Sequence, residues 1–528
     1  MNVTQIPEMI NIYRPEWTCG RYDVKHKVAI YYNLIEGMAY FFEDDSASVI
    51  GEILKIDKNG SVELQAIVDR TGLEEVDLVP FFTLLANYGL VVSNEPTGDI
   101  INEYRKNVRL SKQEHVKNTV KEFQDQSVIN TTDAERLYMD RVDGITSVMF
   151  ELTYRCSEMC IHCYNPGATR NDKEVNGRGN RVELELSDYK RIIDELYEQG
   201  LIKVCLSGGD PFSKSIIWEI IDYLYRKGIA IDVFTNGISV CKNVGRLAKY
   251  YPRTIGISLY SNIPAVHDNI TRVKGSSEKT MSFIQECSRY GLSMYLKCCI
   301  MKPNVNSYYT VKEVALKYGA LPQFDINITD SVEGDTCAST NLRLTHDMME
   351  VVLRDNDLPY YIGKGVEESD FQSTIDSKGK MCNAGFNSIC ITPEGNIQPC
   401  CAFPMKLGNI KNSSINKVLK NNKILNWWKS KTIADCTDCH KHPYCVFCQM
   451  CAGNNYIAHG TPLKPSQNNC AIAKERYNLA LKMKGGYDPL QGKRLEEKLN
   501  ELEVTLPPLY RCGSINYRNK YGVNEMSQ

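Results

Sequence analysis

Between residues 145 and 330, short apolar runs recur six times, separated by stretches whose apolar residues repeat every three to four positions. The runs at 147–152, 202–206, 229–234, 254–259, 292–300 and 322–328 predict β-strands. Between them, Tyr189, Ile192, Ile193, Leu196 and Tyr197 share one helical face, as do Ile216, Ile220 and Leu224. Strands alternating with helices in this way pair in parallel through right-handed crossovers. The expected core is therefore α/β, over 143–335, with its chemistry at the C-terminal strand ends.

The pattern changes on either side. Lys27–Asn33 and Met38–Phe42 read as a hairpin turned at Glu36-Gly37. Asp45-Ser46 would cap a helix that buries Val49, Ile50, Ile53 and Leu54. Two more helical patterns run from Val62 to Val68 and from Val76 to Tyr88, and Leu90–Val92 would add a short strand. Together these make a winged-helix-like unit over 25–100. Residues 101–142 are charged and favour helix, with a polar break at Asn130–Asp133, and read as a helical linker. Past the core come a bridge (336–380, helix-like at 344–355), a cysteine-rich region (381–475) and an extension (476–528). In the extension, Arg476–Met483 and the spacing of Leu495, Leu499 and Leu502 favour helix.

Charge is balanced, 62 Lys+Arg against 64 Asp+Glu, which leaves no footprint for nucleic acid. The third helix of the winged unit opens on Glu74-Glu75-Val76-Asp77 rather than on basic residues. No apolar run reaches the roughly 18 residues of a membrane span, and the first residues lack the features of a signal peptide. A cytoplasmic protein with no membrane segment is expected. Of 21 cysteines, one lies in the first 150 residues and ten lie between Cys382 and Cys470. Such clustering favours metal ligation over disulfides.

The first predicted strand runs into Glu151-Leu-Thr-Tyr-Arg-Cys156-Ser-Glu-Met-Cys160-Ile-His162-Cys163-Tyr164. Three thiolates this close can hold three irons of a [4Fe–4S] cube and leave the fourth open. A zinc site would want four closed local ligands. With His162 as the ring before Cys163, the order resembles the signature of radical S-adenosylmethionine (SAM) enzymes. The resemblance implies a partial (βα)6 barrel in which the open iron chelates SAM and an electron releases a 5′-deoxyadenosyl radical. It also implies roles at other strand ends. Gly208-Gly209-Asp210-Pro211 looks like that family's Gly-Gly-Glu-Pro motif, at the amino group of SAM. Asn236, and Ser258 with Tyr260, match places that meet the ribose or carboxylate. Lys297 would pair with the carboxylate, or equally face a tunnel. The run from Ser258 through His267-Asp268 to Gly275-Ser276 is typical of peptide-modifying members. Asp325, Asn327 and Asp330 read as substrate-facing or as a capped loop, and Cys205, Cys298 and Cys299 as core.

The later cysteines run Cys382-x12-Gly395-x4-Cys400, then Cys436-x2-Cys439-x5-Cys445, Cys448, Cys451 and Cys470. This resembles the SPASM extension, whose seven-cysteine pattern holds two auxiliary [4Fe–4S] clusters. Where that pattern expects its Cys-x3-Cys, position 449 is Gln. By resemblance, Cys436, Cys439, Cys445 and Cys470 close one cluster, and Cys382, Cys400 and either Cys448 or Cys451 hold the other. Cys451 is favoured, because Cys451-Ala-Gly resembles a Cys-Pro-Gly of related chains. A fourth ligand would come from Cys337, Cys390, Cys401 or Cys448, or be absent. Zinc knuckles are the competing reading of the Cys-x2-Cys pairs.

The unit at 25–100 resembles the PqqD-like element of enzymes that modify ribosomally made peptides, which takes a leader peptide as an added strand. A structural cap or a dimerisation domain would fit the same pattern. The whole resembles a radical SAM/SPASM peptide maturase. The resemblance implies a precursor peptide with a leader as partner, a reductase or a flavodoxin or ferredoxin as electron donor, and a thioether as first choice of product. Carbon–carbon crosslinking, residue oxidation, epimerisation and a non-catalytic iron–sulfur chaperone are the alternatives. No protein acid, base or hydrogen donor is identifiable at this level.

Overall fold

The computed structural model describes residues 11–118, 131–165, 183–331, 337–363, 367–372, 375–411 and 413–504. Near the N-terminus, β1 (Asn11–Tyr13) precedes an antiparallel sheet of β2 (Thr18–Asp23), β3 (Val28–Asn33) and β4 (Met38–Glu43), in that order. β3 is buried along its whole length because both faces of the sheet are covered. On one face Ala29 and Tyr31 pack against α1 (Asp44–Leu54), α2 (Leu64–Thr71) and α3 (Glu75–Asn87). After α4 (Gly98–Asn118), α5 (Thr131–Arg141) lays Ala134 and Tyr138 over Ile30 and Tyr32 on the other face.

The expected hairpin is present, but the sheet has a third strand. Its Gly20 weakens the strand pattern yet is required, since a Cβ there would lie 2.3 Å from the Ile30 carbonyl oxygen. Asp45-Ser46 does not cap α1. The N-cap is Glu43, and the Ser46 hydroxyl donates to the Glu43 carbonyl at 2.7 Å. Val62 belongs to β5 (Ser61–Glu63), paired with β1, so α2 starts at Leu64. Leu90–Val92 makes one bridge, Val92 to Tyr13, instead of a strand. Thr131–Asp133 opens α5 rather than breaking a helix, and residues 119–130 lie outside the described residues.

Six parallel strands follow: β6 (Ser147–Glu151), β7 (Lys203–Ser207), β8 (Ala230–Thr235), β9 (Thr254–Ser258), β10 (Met294–Cys299) and β11 (Leu321–Asp325). All six were expected from the apolar runs, with ends displaced by at most three residues. Val148, Phe150, Val204 and Leu206 face outward onto the helices Leu186–Glu198 and Ile217–Arg226, where Tyr189, Ile192, Ile193, Leu196, Ile220 and Leu224 are buried. The alternate residues turn inward and line a lumen.

The sheet does not stop at β6. β12 (Ser388–Ile391) adds beside it in parallel, and β13 (Asn396–Gln398) and β14 (Gly408–Asn409) continue antiparallel, giving nine strands. The cysteine-rich region is thus hydrogen-bonded into the barrel. Further on, the helix-like 344–355 is a shorter helix, His346–Val352, capped by the Thr345 hydroxyl. The helix expected at Arg476 begins at Gln467 and carries Cys470. Leu495–Asn500 is helical, with Leu499 buried.

The N-terminal sheet sits beneath the barrel, against the strand starts, where Ile202, Ala230 and Tyr251 join its core. At that floor the buried Glu135 of α5 accepts from the Tyr32 hydroxyl at 3.1 Å, pairs with Lys203, and lies 3.4 Å from Arg253. Arg253 also pairs with Asp232, which accepts from Thr254 at 2.8 Å. Removing one member of a buried charge network strands the others. Glu135→Ala is therefore expected to cost about 3 kcal/mol, read as a lower urea midpoint with an unchanged slope.

Candidate functional site

The cysteine loop leaves the C-terminal end of β6, and backbone contacts from the turn after β7 and from the end of the helix Pro264–Thr271 hold it. The Gly209 N–H donates to the Thr153 carbonyl at 2.7 Å, and the Asp210 N–H to the Arg155 carbonyl at 2.9 Å. Side chains have no room here: a Cβ on Gly208 would lie 2.3 Å from the Thr153 oxygen, and one on Gly209 2.4 Å from that of Arg155. Gly208 also has φ +130°, a conformation reserved for glycine. The pair is thus explained first by the loop it grips.

Asp210 and Pro211 are both buried. Asp210 is wholly buried, and its carboxylate accepts from Phe212 N (3.0 Å), Thr235 Oγ1 (2.6 Å) and Asn236 N (3.2 Å). It is a strut joining the ends of β7 and β8, because a side chain with no accessible surface can only serve its neighbours. Pro211 is buried at the start of a short 3-10 turn. Asn236 continues the chain of contacts. Its Nδ2 donates to Ser157 Oγ at 3.0 Å and lies 3.5 Å from Cys156 Sγ, which also accepts from Glu158 N at 3.4 Å.

Cys156, Cys160 and Cys163 are all partly exposed at this rim. Cys156 stands close enough to Cys163 and Asp210 for their charges to act on it, and burial pushes its thiol up to about 12. A metal-free Cys156 is therefore protonated, and a metal that binds here displaces the proton. The Cys160 thiol donates to Glu158, whose carboxyl burial pushes up to about 8. The His162 ring packs edge-on against Tyr260, centroids 4.9 Å apart, and the Tyr260 hydroxyl lies 3.9 Å from Cys160 Sγ. Ser258 closes β9, two residues before Tyr260.

Below the rim the lumen is polar. Glu151, at the end of β6, accepts from the Tyr154 and Tyr164 hydroxyls at 3.3 and 3.4 Å, and burial pushes it up to about 7. Lys297 points inward from β10 with Cys205, Cys299, Cys401 and Asp325 about it. Cys298 is core, as expected, but Cys205 and Cys299 are partly exposed lumen residues. Their strands are buried on the helix side only, so odd and even positions meet different surroundings. Of the residues at the end of β11, Asp325 accepts from Asn327 N (2.7 Å) and the Tyr360 hydroxyl (3.2 Å), and Asp330 from Arg343 (2.7 Å). Asn327 is bonded to Asn468 and Asn469, so this loop is fastened to the helix that carries Cys470.

The later thiols fall into two groups by mutual electrostatic reach. Cys436, Cys439, Cys445, Cys448 and Cys470 act on one another. Cys382, Cys400 and Cys451 form the other group. Cys382 Sγ accepts from Ala384 N at 3.4 Å and Cys451 Sγ from Asn454 N at 3.5 Å. Cys451 is brought to Cys400 because Gly453 packs against Ala402, where a Cβ would lie 2.0 Å from the carbonyl oxygen. Cys401 lies with its sulfur 3.9 Å from that of Cys400, and Cys390 and Glu151 also act on it. Among the described residues no three ligating side chains are already drawn to metal-bonding distance. Nothing is described of the Cys337 side chain. The donor sets are all thiol, the soft ligands that iron–sulfur clusters take, and they fit such groups.

The description "Radical SAM superfamily" matches residues 150–305, and "Iron-sulfur cluster-binding domain" (SPASM) matches 382–452. The chain is 27% identical over 332 residues to the antilisterial bacteriocin subtilosin biosynthesis protein AlbA of Bacillus subtilis, covering 62% of this chain and 70% of that one. It is 22% identical over 338 residues to the AdoMet-dependent heme synthase of Methanosarcina barkeri, covering 60% and 94%. The fold is shared with Streptococcus suis SuiB bound to the precursor peptide SuiA, at TM-score 0.50 and 13% identity, over 87% of this chain and 99% of that one. Among the described residues no helix is long and apolar enough to cross a membrane.

Because a methyl at Gly209 must displace the backbone carrying Cys156, Gly209→Ala is expected to remove the rim cluster and spare the others. Reconstituted protein should lose roughly four irons, one cubane's worth, with the auxiliary signals in its EPR spectrum retained.

Proposed function

This chain is a radical SAM enzyme of the SPASM class, and from that premise we propose that it closes thioether bonds within a leader-bearing precursor peptide. Its cofactors are SAM, a [4Fe–4S] cluster that binds it, and auxiliary clusters. Together they supply a radical that takes a hydrogen atom from carbon and a sink for the electron left behind. Cys156, Cys160 and Cys163 would hold the first cluster. Cys436, Cys439, Cys445 and Cys470 would hold one auxiliary cluster, and Cys382, Cys400 and Cys451 the other, whose fourth position is left to a substrate thiol. The observation carrying the thioether reading is this second group, in which Cys382, Cys400 and Cys451 act on one another and Asp325 of the lumen acts on Cys451. The similarity to AlbA, a bacteriocin biosynthesis protein, supports a peptide substrate. Electrons would come from a reductase, flavodoxin or ferredoxin.

The PqqD-like reading of the N-terminal unit assigns it the leader. β4 is an edge strand of its sheet, with no described strand beyond it. Beside it α3 exposes Val76, Val79, Leu84 and Tyr88, and Tyr40 and Phe42 reach across to Tyr88 and Phe81 (4.8 and 5.9 Å). An extended peptide added there gains main-chain hydrogen bonds along the edge and apolar contacts with the helix. This surface lies at the floor of the barrel and the cysteine loop at its mouth. A five-residue strand separates them, roughly 17 Å at 3.3 Å per residue. Leader and reacting residue must therefore be more than about five extended residues apart.

Anaerobic protein with dithionite and SAM should form 5′-deoxyadenosine, and a precursor peptide should lose two hydrogens per crosslink, with a cysteine sulfur joined to carbon in the fragment map. A peptide joined carbon to carbon would replace the thioether with the runner-up product. Turnover of a haem precursor instead would move the reading toward the second relative. Val79→Glu on α3 is expected to raise the peptide KM by about tenfold, the effect of some 1.4 kcal/mol, with the unfolding midpoint unchanged. An unaltered KM would remove the leader assignment.

A further inference from the structure

Closing a thioether leaves one proton unassigned, that of the peptide thiol. We propose that the Lys297 amine, in the barrel lumen, takes that proton; the proposal rests on the thioether reading above. The S–H bond breaks heterolytically, its electron pair stays on sulfur, and the proton moves to Nζ. A thiolate and an ammonium result, and nothing else is consumed.

The lumen is built around this side chain. Lys297 sits between Leu296 and Cys298, both buried on the helix side of β10, so its own chain runs inward. On the adjacent strand a Cβ at Gly256 would lie 2.9 Å from Lys297 Cδ and 2.7 Å from Phe234 Cδ1. A glycine in mid-strand is unfavourable, and here it clears the space that the lysine and the ring share. Nζ stands 3.6 Å from the centroid of Phe234 and makes no ion pair among the described residues. The titratable groups facing it are Cys205 on β7, Cys299 on β10, Asp325 on β11 and Cys401 past β13.

These surroundings pull in two directions. Loss of water without a counter-ion disfavours the ammonium, and burial lowers the Lys297 pKa accordingly. The ring face and the potentially anionic neighbours favour it. Desolvation is the larger influence, and it moves the amine in the direction that a base requires. A guanidinium, which does not deprotonate, could not replace it.

Trace acetylation with acetic anhydride, on the full cluster-loaded chain, reads the titration of Lys297 directly by peptide mass spectrometry. Lys297 should titrate at least about one pH unit below the ordinary lysine value near 10.4. Saturating SAM should leave its labelling unaltered. A midpoint at the ordinary lysine value, no labelling at any pH, or protection by SAM would each overturn the assignment; the last would give Lys297 to the cofactor. With a peptide the native enzyme crosslinks, Lys297→Arg should abolish crosslinking, and Lys297→His should restore part of it with the acid limb of the pH profile moved down. If the native enzyme forms no carbon–sulfur bond while Lys297 titrates low, the thioether reading fails and the proton transfer falls with it.

Discussion

The site depends on one close approach of backbone to backbone. The loop bearing Cys156, Cys160 and Cys163 has no regular structure of its own, so its position is set by what it lies against. That is the turn after β7, where Gly208 and Gly209 let peptide oxygens approach to distances that no Cβ would permit. From there Asp210 carries the fix to Thr235 and Asn236, and Asn236 returns it to Ser157 and Cys156. The circuit closes on itself, since each member is held by the next. A metal that binds here displaces the thiol protons.

The two ends of the barrel use opposite electrostatics. The floor is closed by paired charges, Glu135 with Lys203 and Arg253, and Arg253 with Asp232, which seal the strand starts against the N-terminal sheet. At the mouth burial raises the Cys156 thiol and the Glu158 carboxyl, while Arg155 of the cysteine loop lies 3.7 Å from Glu183. Between the two ends Lys297 makes no ion pair among the described residues. An ionic floor is rigid because any displacement strands a buried charge. The thiols of the mouth can exchange protons for metal without disturbing that floor. The same strands therefore offer stability below and chemistry above.

Most of this was legible in sequence wherever one periodicity governed a whole element. The six central strands could be read because their helix-facing residues are continuously apolar and glycines or polar residues end them. That Cys156, Cys160 and Cys163 follow the first barrel strand could be read from their place in the chain. What escaped were features fixed by partners distant in the chain. The side-chain bonds of Asp210 could not be read because they depend on Thr235 and Asn236, 25 and 26 residues away. β12 escaped because Ser388–Ile391 is too short to announce a strand until β6 is there to pair with it. Cys205 and Cys299 looked like core because a barrel strand has two buried sides, and only one of them is apolar.

The pairing of β12 with β6 bears on how the auxiliary thiols serve the reaction. β6 ends in the cysteine loop, and β12 leads through β13 to Cys400. Ladder hydrogen bonds between adjacent strands leave no hinge between these two thiol groups. The remaining members of the second group arrive by other routes, Cys451 through the contact of Gly453 with Ala402, and Cys382 just ahead of β12. Under the proposed function, a peptide entering the lumen would meet two candidate metal-binding edges joined through one β ladder, at about 4.8 Å per strand. Under the proposed thioether chemistry, selectivity among carbons must then come from where the peptide is held, by its leader below and its thiol above, since the reacting edges themselves do not move.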